Sequence, residues 1–242
     1  MLVSRRALVA VALAPFAAAG PSSLSAQSFE GVITFSTLTE SGKTATMVQS
    51  TSGKKLRLDV SEAGSPSPGA SVIYDLDTDK HTTLLPARKL YVVSTPNDRT
   101  VSSDSAGNST DIQKTSRTEM VAGVSCDVYH WTRKTSSAPE EGDVCLAKGI
   151  GFEALNVLVN EYGGRGASAV GGPEITKLKQ LLKGDLQVLK ITTVKNGKTT
   201  VNLVATKIER VPVSSDLFRP PPDYTEFTSQ KLQQPGQKPP ER

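Results

Sequence analysis

The chain has 242 residues, with 28 Lys or Arg against 24 Asp or Glu, and a formal net charge of +4. Positive and negative side chains are interleaved along it, as at residues 54–59, which read Lys-Lys-Leu-Arg-Leu-Asp. Proteins that bind nucleic acids usually cluster their basic residues on one face, so this pattern excludes a nucleic-acid partner. About 200 residues remain between the terminal segments described below, which suits one domain with a sizeable core.

The first 26 residues are predicted to be a secretory signal peptide. Arg5 and Arg6 precede an uncharged apolar stretch at residues 7–19, and small residues then lead to Ala26. The stretch is shorter than the roughly 20 residues that span a bilayer, so no stable membrane span is expected. We predict cleavage after Ala26, or near Ala19, and export to the bacterial periplasm or the extracellular space. Two arginines fit both the general and the twin-arginine export route.

Residues 29–94 alternate polar and apolar side chains in short runs separated by turn residues. This pattern is typical of half-buried antiparallel strands, and the short Gly-containing breaks predict that sequential strands pair as a meander. The predicted strands cover residues 31–38, 44–52, 55–60, 70–75, 80–85 and 89–93. Residues 100–111 are rich in Ser, Asp and Asn without periodicity, and we predict an exposed loop there.

Cys126 and Cys145 are the two cysteines of the chain, and each lies in a strand-like run. In an exported protein two cysteines most simply form one disulfide, so we predict that they pair across a long hairpin. The alternative is a Cys126 nucleophile with His130 as its base, since residues four apart on a strand share a face. The export compartment favours the disulfide.

Apolar residues take up helical spacing after Cys145. Residues 152–162 and 173–182 are predicted to form two amphipathic helices, and the glycine-rich residues 163–172 are predicted to link them flexibly. Strands resume at 186–194 and 198–208 around the hairpin dipeptide Asn196-Gly197. The tail after Phe227 is predicted to be disordered because it consists mainly of Gln, Pro and Lys.

The end of the chain carries a recognisable motif. Phe218, Pro221 and Tyr224 fit the pattern Phe-x-x-Pro-x-x-Tyr after the last pair of strands, and residues 71–77 and 121–129 fit further short motifs. The chain thereby resembles exported proteins that carry the uncharacterised DUF4412 domain, which belong with the fold of the lipoprotein carrier LolA and its receptor LolB. The resemblance spans most of residues 29–227. With the signal peptide predicted at 1–26 and a disordered tail at 229–242, it implies a single LolA-like domain at 27–228.

The fold implied by the resemblance is mainly β, a strongly curved antiparallel sheet or partly open β-barrel with a helical pair covering its concave face. In the lipoprotein carrier the space beneath the helices holds acyl chains, which implies a hydrophobic cavity here. Tyr129 and Trp131 are expected on one strand face with Asp127, and Cys126, Val128 and His130 on the other. The candidate cavity residues are Phe35, Leu58, Tyr129, Trp131, Leu155, Leu158, Leu178 and Leu181.

Two functions fit these observations. The first is an exported, non-enzymatic protein that binds a lipid or other hydrophobic small molecule beneath a helical lid. The second is a structural or interaction protein with a filled core, which binds another protein of the cell envelope. A monomer is expected in both cases, and no residue corresponds to the cargo-gating arginine of the lipoprotein carrier.

Metal and catalytic signatures are incomplete in this sequence. Asp75, Asp77 and Asp79 have the spacing that opens a calcium loop, but Lys80 and Pro86 occupy the positions that require glycine and glutamate. A hairpin turn with solvated aspartates is therefore favoured. The chain has two histidines and no helical His pair, and no nucleophile turn of the type Gly-x-Ser-x-Gly precedes a helix. We expect no metal site, no cofactor and no catalytic residue.

Overall fold

The structure is a computed structural model that describes residues 29–39, 42–65, 67–94, 109–134, 139–150 and 186–228. These segments form a single sheet of 12 strands. Short 3-10 turns at Pro86–Arg88 and Ser215–Phe218 connect some of them. The strands are β1 (Gly31–Leu38), β2 (Thr44–Ser52), β3 (Lys55–Glu62), β4 (Ala70–Asp75), β5 (Lys80–Leu85), β6 (Leu90–Ser94), β7 (Ser109–Val121), β8 (Val124–Lys134), β9 (Glu140–Lys148), β10 (Leu186–Lys195), β11 (Lys198–Glu209) and β12 (Thr225–Glu226).

The sheet consists of two antiparallel meanders. Strands β1 to β6 pair in sequence, as do β7 to β11, and β1 pairs with β11 to join the two groups. The short strand β12 adds to the edge of β6 in parallel. Sequential pairing of β1 to β6 agrees with the meander predicted for residues 29–94, because short turns bring consecutive strands together. The turn between β10 and β11 also follows the sequence, with Asn196 and Gly197 both at positive φ.

Strand β7 is the main strand that the sequence analysis missed. The loop predicted at residues 100–111 overlaps it, since β7 begins at Ser109, and residues 100–108 lie outside the described part. The β7 sequence is polar because the strand lies at the edge of the sheet. Its charged residues Lys114, Arg117 and Glu119 pair with opposite charges on β8, β9 and β10, so an apolar alternation is absent.

Buried side chains lie mainly on one face of β1 to β3, whereas β9 and β10 bury side chains on both faces. Residues directly opposite each other on neighbouring strands share a face, and this relation connects Leu203 to Ile191, Ile191 to Val144 and Val144 to Tyr129. By the same rule Phe35 shares a face with Met47. Ile33, on the same face of β1, lies opposite a β2 residue that in turn lies opposite Leu58, so Leu58 shares this face too. We call this face, which carries Phe35, Leu58, Tyr129 and Trp131, the core face.

The predicted fold class is wrong. The described residues form an almost entirely β structure in one open sheet, without an α-helix and without a helical pair over the core face. The predicted helices at 152–162 and 173–182 lie outside the described residues, as do the signal peptide at 1–26 and the tail at 229–242. Helical spacing of apolar residues indicates which side of a segment is apolar, but it does not determine what that side packs against.

The buried side chains of the core face belong to one continuous cluster, which extends from β1, β2 and β3 to β8, β9 and β10 and also includes Cys126 and Cys145 of the other face. Within it, Gln49 of β2 hydrogen-bonds Gln187 of β10 at 3.0 Å, although β1 and β11 lie between the two strands. Three strand spacings correspond to about 14 Å on a flat sheet. The sheet is therefore strongly curved between β2 and β10, so that side chains of non-adjacent strands meet.

The C-terminal strap, residues 213–227, packs on the opposite face. Phe218 is buried there in a small cluster with Ile73 and Leu84, against which Tyr224 also packs. The Tyr224 N–H donates to the Pro221 carbonyl at 3.0 Å and closes a turn. The three motif residues Phe218, Pro221 and Tyr224 thus have structural roles in holding the strap against the sheet.

Candidate functional site

The structure brings the candidate cavity residues that it describes to the same face. Phe35, Leu58, Tyr129 and Trp131 all lie on the core face and belong to, or pack against, its continuous cluster. The other four, Leu155, Leu158, Leu178 and Leu181, lie outside the described residues.

Phe35 and Leu58 form part of the packed interior. Their exposed fractions are 0% and 1%, and both have buried neighbours on adjacent strands. Burying a side chain of this size stabilises the fold by about 2 to 3 kcal/mol. These two residues therefore stabilise the sheet and offer no free surface to a ligand.

Tyr129 and Trp131 lie at the margin of the cluster and are only half-buried. Ile112 of β7 is paired with Trp131 and is half-buried as well. We call Ile112, Tyr129 and Trp131 the aromatic strip. Its three side chains follow one another on the core face of β7 and β8, and they are the described candidate surface for an apolar ligand.

A glycine makes room for the strip. Gly142 of β9 is paired with Trp131, and a Cβ atom at position 142 would lie 2.8 Å from Cζ2 of Trp131 and 1.9 Å from the backbone oxygen of Thr192. Only a residue without a side chain lets β10 and the indole approach so closely. Gly142 therefore sets the position of the Trp131 ring.

Lys114 and Asp127 form a charged pair beside the strip. The Lys114 Nζ donates to an Asp127 carboxylate oxygen at 2.7 Å and lies 5.9 Å from the centroid of the Tyr129 ring. The hydrogen bond to Asp127 raises the pKa of the Lys114 ammonium above its usual value. The margin of the strip thus combines apolar rings with one ion pair, and Asp127 shares the face of Tyr129 as the strand alternation predicts.

Two buried amides meet across the curved sheet, and the sequence analysis did not identify them. The Gln49 Nε2 donates to the Gln187 Oε1 at 3.0 Å, and the Gln187 Nε2 donates to the Gln49 Oε1 at 3.3 Å. Both side chains are almost fully buried, at 0% and 1% exposure. The available signal was the position of Gln49, which alternates in phase with the inward residues Met47 and Ala45. The pairing with Gln187 depends on a contact 138 residues away.

Cys126 and Cys145 are joined by a disulfide with an S–S distance of 2.01 Å. Both residues lie on the face opposite Tyr129 and Trp131, at 2% exposure each. This is the pair that the sequence predicts, and it leaves no thiolate on Cys126 for the alternative of a nucleophile with His130 as base.

His130 belongs to an ionic cluster on the face that carries the disulfide. Its Nδ1 lies 3.0 Å from an Asp143 carboxylate oxygen, and Arg117 of β7 donates to the other carboxylate oxygen at 2.7 Å. Partial burial acts to raise the pKa of Asp143, but the hydrogen bonds from Arg117 and His130 outweigh it, so this pKa lies below its ordinary value. The hydrogen bond to Asp143 also raises the pKa of Arg117. The cluster connects β7, β8 and β9.

The aspartates of the suspected calcium loop are engaged within the turn. The Asp75 carboxylate accepts the Asp77 N–H at 3.1 Å, and Asp77 forms an ion pair with Lys54 at 2.7 Å. Within the described ranges, no group of three His, Cys, Asp or Glu side chains is arranged to hold a metal ion. No helix in the described part of the chain is long and apolar enough to cross a membrane.

These features define the class of protein to which the chain belongs. It is an almost all-β protein with one open sheet, and an aromatic strip lies at the margin of its apolar core cluster. The chain belongs to the DUF4412 family, described as a domain of unknown function, whose profile matches residues 29–224. This match covers most of the described sheet together with the motif residues of the strap. No curated protein matches the chain.

Two solved structures are similar to this chain at low identity. An uncharacterized conserved protein from Thermus thermophilus is 11% identical with a TM-score of 0.46, over 84% of this chain and 91% of that one. A structure of PNGF-II is 16% identical with a TM-score of 0.43, over 83% of this chain and 31% of that one. These likenesses are too distant to assign a ligand or an activity.

Proposed function

We propose that this protein is an exported, non-enzymatic binding protein that takes a lipid or other hydrophobic small molecule on the aromatic strip. The observation that carries the proposal is the half-burial of Ile112, Tyr129 and Trp131 side by side at the margin of the core cluster. Apolar area left in contact with water is stabilised by any apolar partner that covers it, by about 25 cal/mol for each Å².

The composition of the strip suits such a ligand. Aromatic rings present large apolar surfaces at low conformational cost, and they contact hydrocarbon or ring systems through their faces. The Lys114–Asp127 pair lies beside Tyr129 and would meet the more polar end of an amphiphile. Binding sites of this kind combine mostly apolar walls with a few placed polar groups.

Export to the periplasm or the extracellular space is part of the proposal. It is supported by the predicted signal peptide and by the disulfide between Cys126 and Cys145, since disulfides persist in oxidising compartments. The likeness to lipoprotein carriers noted from the sequence motifs stays a prediction, as does the monomeric state.

One observation favours a second function, that of a structural or interaction protein of the cell envelope. Phe35 and Leu58, two of the predicted cavity residues, are completely packed within the core. A core face filled by its own side chains needs no ligand, and the aromatic strip would then contact an envelope protein.

Intrinsic fluorescence tests the first function directly, because Trp131 is the single tryptophan of the chain. Titration with dibromostearic acid, whose bromine atoms quench indole emission on contact, is expected to quench Trp131 saturably at one fatty acid per protein. The double variant I112S/Y129S is expected to weaken the binding at least tenfold. The matched control V201S removes an exposed apolar side chain on the opposite face and is expected to leave it unchanged.

Native mass spectrometry of protein purified without detergent, before and after organic extraction, provides the independent readout. A stoichiometric apolar adduct that disappears on extraction supports the binding function. A clean mass without adduct, together with quenching that stays linear in fatty acid, would overturn it in favour of the structural function.

A further inference from the structure

The two edges of the described sheet differ in their chemistry. Strand β7 forms one edge, while β6 lies at the other edge with only the two residues of β12 outside it. Edge strands expose backbone N–H and C=O groups that can pair with another chain, and natural proteins blunt or cover them. Each edge of this sheet is therefore expected to carry its own protection.

Strand β7 is protected by its own sequence. It contains Lys114, Arg117 and Glu119, and its pairing with β8 shifts register between Lys114 and Thr118. Charges and bulges on an edge strand both oppose regular pairing with a further strand. This edge needs no cover.

Strand β6 has no such protection. Its sequence from Leu90 to Ser94 is Leu-Tyr-Val-Val-Ser, without a charge, proline or glycine. Short uncharged runs rich in aromatic and β-branched residues pair readily with identical segments. An open β6 edge would therefore tend to associate with β6 of another molecule.

The C-terminal strap covers this edge. The Thr225 N–H donates to the Lys89 carbonyl at 2.9 Å, and the Phe227 N–H donates to the Tyr91 carbonyl at 2.8 Å. An ion pair between Lys89 and Asp223 at 2.9 Å supports the pairing. The carbonyl just before β6, at Lys89, and the Tyr91 carbonyl within it are thus occupied by the protein's own chain.

The strap is anchored independently of this pairing. Phe218 fills the small cluster with Ile73 and Leu84, and Arg57 donates through Nη1 to the Leu217 carbonyl at 3.1 Å. The anchor holds the strap on the sheet, and the following residues reach the edge at Thr225. Loss of the β12 pairing alone therefore need not detach the strap.

From these contacts we infer that the C-terminal strap is an edge guard, which prevents β6 from pairing with β6 of a second copy of this chain. The two edges are protected by different means, β7 through its own charges and irregular register, and β6 through a cover. The partner that the guard excludes is an identical molecule, because the β6 segment is uncharged and self-complementary. This inference is independent of the proposed ligand.

The test removes the two strap donors and keeps the anchor. In T225P/F227P both N–H groups that bond β6 are replaced by proline, while Phe218 and Arg57 are unchanged. The matched control E226P introduces the same residue type between them, where the N–H points away from β6 because alternate residues of a strand direct these groups to opposite sides. Sedimentation velocity over a hundredfold range of protein concentration measures association, and circular dichroism verifies the fold.

T225P/F227P is expected to form dimers as concentration rises, while the wild type and E226P stay monomeric. Adding V92K, which places a charge within β6, is expected to restore the monomer. A folded T225P/F227P that stays monomeric throughout, or dimers that persist after V92K, would overturn the inference. Should the double variant lose its fold, F227P alone carries the same test, since it removes only the last of the two bonds.

Discussion

Replacing Gln49 with leucine separates the buried amide pair, and the structure gives the expected cost. The Gln187 Oε1 loses the Nε2 donor that lies 3.0 Å away, whereas the Gln187 Nε2 keeps the Val188 carbonyl at 3.1 Å. Since Gln187 is 1% exposed, water cannot replace the lost donor. An unsatisfied buried polar group costs about 1 to 3 kcal/mol, so Q49L is expected to lower the free energy of unfolding by that amount.

The double variant Q49L/Q187L distinguishes the pair from simple packing. With both amides replaced by apolar groups of similar size, the core contains no unsatisfied side-chain amide, and such exchanges are nearly neutral or stabilising. The double variant should therefore be more stable than Q49L. Urea unfolding followed by circular dichroism measures the four free energies of the cycle. The control M47L, on the same strand and face, is volume-conserving and should cost less than about 1.5 kcal/mol.

Additive effects would refute this reasoning. If the cost of Q49L/Q187L equals the sum of the single costs within about 0.5 kcal/mol, the two amides do not depend on each other. The contact across β1 and β11 would then contribute nothing specific, and the curvature that brings β2 and β10 together would rest on apolar packing alone.

Three further predictions follow from the geometry. C126A/C145A opens a disulfide that spans a sequence separation of 19 residues, which the chain-entropy model values at about 3 kcal/mol, measurable as a shift in the urea midpoint. G142A places a Cβ atom 1.9 Å from a backbone oxygen and should cost about 1 to 3 kcal/mol by calorimetry, whereas G69A, with its nearest contact at 3.8 Å, should cost much less. Because the pKa of Asp143 is lowered in the folded state, its carboxylate adds stability above the unfolded-state pKa of about 4, and this stability is lost as the pH falls through the folded-state pKa. D143N should therefore weaken the dependence of the melting temperature on pH across this acid range. An unchanged pH profile would contradict the role assigned to this carboxylate.

Local patterns in the sequence predicted much of the sheet. The alternation of apolar residues in β1 to β5 and in β10 and β11 has the period of a half-buried strand, so their observed bounds agree with the predicted ones within two residues. The same alternation put Tyr129 and Trp131 on one face and Cys126 on the other. These predictions succeed because the direction of a strand side chain depends only on its immediate neighbours.

Predictions that depended on distant packing were less successful. Helical spacing after Cys145 predicted two helices, and the family resemblance implied that they cover the core face, but the described sheet is open and has no helical pair on it. Strand β7 was missed because its charged side chains form ion pairs with residues of β8, β9 and β10, which leaves no apolar period to detect. Phe35 and Leu58 were expected to line a cavity, and the structure shows both buried in the core cluster.

By itself, the sequence determined most of the strands and their turns, the faces of β8 and the two cysteines available to pair, since each depends on residues close together in the chain. Only the tertiary structure decided that β1 pairs with β11, that Gln49 meets Gln187, and that the strap reaches the β6 edge. Those contacts join residues more than 100 positions apart. Their formation depends on the curvature of the whole sheet, which no local pattern of residues encodes.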